Sequence, residues 1–144
     1  LHLTTLFPDV RLKNHLEYRT ADATPFDLTI ALVAFWVGLL YDEVALNATN
    51  DFVEPFTYDD IVQGNHQAAK LGLQGQMKST TFLELARSLA EISSQGLGRI
   101  DQLAGTSQLR FLKPIHDLLE KGQSPAENLI GQGKKVLSME DFSL

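Results

Sequence analysis

The chain has 144 residues, 44% hydrophobic and 21% charged, which suits one globular domain. A net charge of −6 and a pI near 5.1 leave no basic surplus to neutralise phosphates, which argues against a general nucleic-acid binder. With no cysteine there is no disulfide framework, thiolate metal site or cysteine nucleophile, as suits a reducing compartment; a cytoplasmic protein is expected. The chain opens on Leu1 and shows no signal peptide, so the expectation is a piece of a longer protein.

Leu1 to Lys13 reads as an irregular lead-in around Pro8. From His15 to Arg19 the side chains alternate. His15, Glu17 and Arg19 would share one face of a strand, with Leu16 and Tyr18 on the other. Arg11 and Lys13 have the same spacing and extend the pattern upstream. Few other segments read as strands, so the partners of this one are expected outside the chain or on another copy of it.

A helix follows. Thr24 is placed as its N-cap, Pro25 at its first position and Asp27 in its first turn. Leu28 to Tyr41 is uncharged and apolar on nearly every side, which predicts burial. The run is shorter than the roughly 20 residues a bilayer span needs, so no membrane segment is expected. Trp36 on this helix is core or a pocket wall. The pattern continues through Val44, Leu46 and Ala48 toward Phe52 and is stopped by Pro55.

Thr57 with Asp60 forms a capping box for a short helix to about Leu71, and Gly72 and Gly75 mark a loop. Thr81 with Glu84 is a second box. Phe82, Leu85, Leu89 and Ile92 recur behind it, and Gly96 is the expected stop. Ser107 is placed as the cap of a helix bearing Leu109, Leu112, Ile115, Leu118 and Leu119; Pro114 kinks it or marks its true start. Ser124, Pro125 and Glu127 begin a last short helix ended by Gly131 and Gly133, with a mobile tail from Lys134.

Several motifs fail. Gly131-Gln-Gly-Lys-Lys has Asn128 where a phosphate loop needs glycine, and no hydroxyl after the lysine. Gly96-Leu-Gly98 lacks the third glycine of a dinucleotide fingerprint. His2, His15, His66 and His116 have no metal-ligand spacing, and no serine sits in a nucleophile elbow. That leaves the strand. On pattern alone, Glu17 and Arg19 are either the solvated face of a half-buried sheet or a polar active-site floor.

Three blocks decide how that face is read: His2 to Lys13, Leu16 to Asp22 and Phe35 to Asp42. They resemble the C-terminal third of glutamate–cysteine ligases of the plant and proteobacterial type. The similarity continues more weakly through Lys78 to Leu97 and Ser124 to Glu127. Departures are Thr20 where the family usually has glycine, His15 where tyrosine is frequent and Val33 where proline is frequent. None removes a charged group.

The resemblance implies an α+β, predominantly helical segment. Its one or two strands would complete the antiparallel active-site sheet of a glutamine-synthetase-like carboxylate–amine ligase. It divides the chain into a strand region (1–23), a helical region (24–133) and a tail (134–144). It implies ATP and Mg2+ as cofactors, glutamate and cysteine as substrates, and an N-terminal remainder of the enzyme as partner, with a homo-oligomer left open. It makes Glu17 a metal ligand and Arg19 the catalytic and ATP-binding cation. Trp36 and Arg11 become substrate-binding candidates, with Arg11 pairing Asp9 or Asp22 as its bland alternative. Asp22 is equally a partner for Arg19 or a turn cap. The competing expectation from another class is a non-catalytic helical module for binding or assembly.

Overall fold

The computed structural model describes residues 9–131. The lead-in up to Pro8, Gly133 and the tail from Lys134 lie outside them. The fold is predominantly helical with two short antiparallel hairpins, as the sequence predicts for its class.

The first hairpin joins β1 (Val10–Leu12) to β2 (Leu16–Tyr18) in the register Val10 to Tyr18, Arg11 to Glu17 and Leu12 to Leu16. The Glu17 strand therefore finds a partner inside this chain, which corrects the expectation that all its partners lie elsewhere. Asn14 sits at the turn, where Lys13 N–H donates to the His15 carbonyl at 2.9 Å. Asn suits such a position.

Helix α1 (Phe26–Leu40) starts one residue later than expected. Pro25 is its cap residue, and Thr24 Oγ1 meets Thr29 Oγ1 instead of capping. Nor is α1 buried all round: Phe26 is 81% and Val33 57% exposed. Its buried side is made of Ala31, Ala34, Gly38 and Leu39. The apolar pattern does not run straight on. Asp42 accepts from Ala45 N–H at 2.8 Å, starts α2 (Glu43–Val53) and turns the chain by 92°. Among the described residues no single helix is long and apolar enough to cross a membrane.

Helix α3 (Tyr58–Leu71) has the expected Thr57–Asp60 box, with both reciprocal bonds formed. A second hairpin, β3 (Gln76–Met77) and β4 (Thr80–Thr81), leads into α4 (Phe82–Ala104), capped by Thr81 and Glu84 as expected. This hairpin has too few residues to show a period in the sequence.

Gly96 does not stop α4, which runs on to a left-handed Gly105. The glycine serves packing. A Cβ on Gly96 would lie 2.0 Å from the Gly38 carbonyl oxygen, and one on Gly38 would lie 2.3 Å from the Ser93 carbonyl oxygen. Ser93, fully buried, donates from Oγ to the Phe35 carbonyl at 2.9 Å. Arg99 forks onto Asp42, with Nη2 2.6 Å and Nε 3.0 Å from Oδ1. Residues 93, 96 and 99 thus fix α1 and the start of α2 on α4.

A 3-10 turn (Leu109–Leu112) precedes α5 (Lys113–Lys121), so Pro114 marks the helix start. Ser107 is not the cap. Asp101 accepts from the N–H groups of Gln108 and Leu109, both at 2.8 Å. Helix α6 (Pro125–Gly131) has the expected Ser124–Glu127 start, Ser124 N–H donating to Glu127 at 2.6 Å. Ala34, Leu97 and Leu112 centre the core, with Phe35, Val37 and Ile115 against them.

Candidate functional site

The hairpin sorts its side chains by parity. Arg11 and Glu17 are directly opposed and share a face. Val10, Leu12, Leu16 and Tyr18 belong to the other. Arg11 sends both Nε and Nη2 to one oxygen, Glu17 Oε2, each at 2.6 Å. Oppositely charged cross-strand pairs support a hairpin this short.

The arrangement keeps Glu17 ionised. The Arg11 hydrogen bond does most to hold its carboxyl below the usual value, and the charges of Arg11, Lys13 and Arg19 add to it. Partial loss of hydration pushes the other way. Arg19 follows β2 with the parity of Glu17. Its backbone N–H donates to the Asp9 carbonyl at 2.9 Å, prolonging the ladder, and its side chain is half-buried.

The apolar face meets α1 at one point. Tyr18 stacks on Trp36 with ring centroids 4.4 Å apart and planes 14° from parallel, and Phe35 packs edge-on against the indole at 5.8 Å. Such offset stacking adds about 0.5–1.5 kcal/mol beyond burial. Trp36 is therefore a half-buried platform under the hairpin.

The structure thus brings Arg11 to Glu17 and keeps Arg19 on their side of the strand. It does not bring Trp36 to them, because Trp36 lies behind the opposite face. Arg11 takes Glu17 as its partner, not Asp9 or Asp22. Asp22 is exposed in the linker before α1. The sequence reading missed Tyr18, which it placed only as the other side of an alternating strand. An aromatic opposite a carboxylate-bearing face, ahead of a helical tryptophan, was the available signal.

Among the described residues no group of three or more His, Asp or Glu is placed to hold a metal ion. Glu17 is one hard oxygen donor. Mg2+ takes one or two carboxylates and completes its shell with water and phosphate, so Glu17 fits as a contributor and not as a whole site. A cleft of about 1030 Å3 lies between the 22–24 linker, the end of α3 and the start of α6, away from Glu17. The charged face of the hairpin is a flank, not an enclosed pocket.

Comparison with known proteins gives one consistent result. The model of glutamate–cysteine ligase family 2 matches residues 1–136. The chain is 36% identical over 129 residues to the chloroplastic glutamate–cysteine ligase A of Oryza sativa subsp. indica, covering 90% of this chain and 25% of the relative. The chloroplastic glutamate–cysteine ligases of Solanum lycopersicum and Arabidopsis thaliana are each 35% identical over 129 residues, 90% of this chain and 24% of theirs. The chain thus spans about a quarter of the length of these relatives. Their names correct the expectation of a cytoplasmic protein, since these relatives are chloroplastic. A lack of cysteine speaks to redox chemistry and does not choose between reducing compartments.

Proposed function

The chain belongs to glutamate–cysteine ligase family 2, and on that premise we propose that it is the C-terminal part of an ATP-dependent ligase, with the β1–β2 hairpin as one wall of the active site. The full enzyme would join the γ-carboxylate of glutamate to the amine of cysteine, the first step of glutathione synthesis. A carboxylate is a poor electrophile. Transfer of the γ-phosphoryl group of ATP to it gives an acyl phosphate, and attack by the cysteine amine forms the amide and releases phosphate. Phosphoryl transfer asks the protein mainly for positioning and charge neutralisation.

Magnesium, when bound, would neutralise and orient the phosphate oxygens. Glu17 offers it one carboxylate oxygen; the remaining carboxylates would come from the rest of the polypeptide. Arg11 engages Glu17 through Oε2, which restrains the carboxylate. Arg19, two residues on, is suited to bind and stabilise charge on the transferring group. Trp36 acts through Tyr18, as the surface on which the strand is seated.

The observation that carries this reading is the Arg11–Glu17 pair on the hairpin face shared by Arg19, within a chain matched by the family across residues 1–136. The test is Glu17→Gln in the full-length enzyme across a magnesium titration. A raised magnesium requirement with reduced turnover is expected. A wild-type magnesium curve and wild-type kcat would leave the hairpin face as ordinary solvated surface.

A further inference from the structure

The β1–β2 hairpin holds more positive charge than its one ion pair uses. From Arg11 to Arg19 the chain carries three cations and a single acid, against a net charge of −6 for the whole. A local reversal of sign of this kind raises the concentration of anions at one place on an acidic protein. Two of the three cations are placed by the ladder. Arg11 is opposite Glu17 and bonded to it. Arg19 follows the open end of β2, where its N–H meets the Asp9 carbonyl. Lys13 lies at the other end, one residue past β1 and two past Arg11, where the chain turns.

Lys13 is exposed and, among the described residues, its ammonium takes no hydrogen bond or ion pair. Its charge is nonetheless felt at Glu17, whose carboxyl it helps to hold down. Glu17 therefore stands between two cations, Lys13 towards the turn and Arg19 towards the open end. Each is two residues from the Arg11–Glu17 rung, about 7 Å along an extended chain.

A lysine at a hairpin turn is ordinary surface when nothing else bears on it. Here it flanks the carboxylate that fits magnesium, and Arg19 serves only one end of a polyphosphate. An ammonium is a compact point charge with three donors, suited to phosphate oxygens without the planar fit a guanidinium asks for. We propose that Lys13 is a further substrate-binding residue, holding the β-phosphate of the nucleotide at the end of the hairpin opposite the one where Arg19 meets the transferring group. The inference rests on the reading of this hairpin as an active-site wall, and adds an orientation to it: transferring group towards the open end, nucleotide towards the turn.

The test is titration calorimetry of the full-length enzyme with ADP and with AMP, each with magnesium, on Lys13→Gln, Lys13→Arg and Glu17→Gln. Lys13 is an exposed turn residue, so neither substitution of it is expected to disturb the fold. Lys13→Gln should weaken ADP by about tenfold, the scale of one hydrogen bond to a charged group, and leave AMP unchanged. Lys13→Arg should recover most of the ADP affinity. Wild-type ADP affinity in Lys13→Gln, with a loss in Glu17→Gln, would overturn the role of Lys13 and leave the ligase reading standing. Wild-type ADP affinity in both would remove the hairpin from the nucleotide site and overturn the two together. Equal losses for ADP and AMP would overturn a β-phosphate contact. So would a raised KM for glutamate or cysteine with ADP affinity intact, which would make Lys13 a partner for a substrate carboxylate.

Discussion

Arg11 and Arg19 are both arginines on one face of a hairpin, but they have different work. Arg11 is spent on Glu17, at 2.6 Å from two of its nitrogens. Arg19 lies past the end of β2, with its backbone tied to Asp9. If Arg19 meets charge that develops on the transferring phosphoryl group, Arg19→Lys in the full-length enzyme keeps the charge and loses the planar fork. The expected loss is about 10²–10³-fold, falling mainly on kcat. Arg11→Lys should act differently. It loosens the orientation of Glu17, so the magnesium requirement should rise more than kcat falls. Steady-state kinetics over a magnesium titration separates the two. Equal and small effects from both would reduce them to surface ion pairs, worth about 0–1 kcal/mol. Tyr18→Ala removes the contact with Trp36 and should raise the magnesium requirement and lower turnover together by unseating the strand.

Two glycines two residues apart on α4 give the element scale a sharp test. Gly96 faces α1, and a Cβ there would sit 2.0 Å from the Gly38 carbonyl oxygen. That atom is backbone on a helix already held by Ser93 and Arg99, so it cannot step aside cheaply. Gly96→Ala should cost about 1–3 kcal/mol or more through overpacking. Gly98 has nothing within 4 Å of its built Cβ. Gly98→Ala should therefore stabilise α4 by about 0.5–1 kcal/mol, the usual cost of a mid-helix glycine. Thermal melts followed by circular dichroism read both signs. A destabilised Gly98→Ala, or a neutral Gly96→Ala, would show that the α1–α4 crossing is not as close as described. The sequence marks both residues as helix-breakers and cannot tell them apart. Their difference is set by α1, which is more than fifty residues away in the chain.

At the scale of the whole molecule, local signals were legible and crossings were not. The Thr57–Asp60, Thr81–Glu84 and Ser124–Glu127 starts were readable because cap and partner lie three residues apart. Asp42 as a cap was hidden, because the apolar run masked it and its second partner, Arg99, lies on α4. The Glu17 face was legible as an alternation, but its pairing with Arg11 needed the hairpin, which the irregular lead-in concealed. The caps have a collective consequence for acid stability. Asp42, Asp60, Glu84, Asp101 and Glu127 each accept backbone N–H groups at the start of a helical element. All five are held below their ordinary values. Arg99 does most at Asp42, the hydroxyls of Thr57 and Thr81 do most at Asp60 and Glu84, and the N–H groups of Gln108 and Ser124 do most at Asp101 and Glu127. A carboxyl depressed in the folded state binds fewer protons there than when unfolded, so stability rises with pH through this range. The contribution is complete above the ordinary values of 3.8 for Asp and 4.5 for Glu, and is lost as pH falls through the depressed ones. The melting temperature should thus be nearly flat from about pH 7 to pH 5 and drop steeply below about pH 4. Glu84→Gln, which keeps the shape of the α4 cap without its charge, should lower the melting temperature at neutral pH and shrink the acid drop. A melting temperature that holds from pH 7 to pH 3 would mean that the caps are made in the unfolded chain as well, and that these helices are anchored by packing alone.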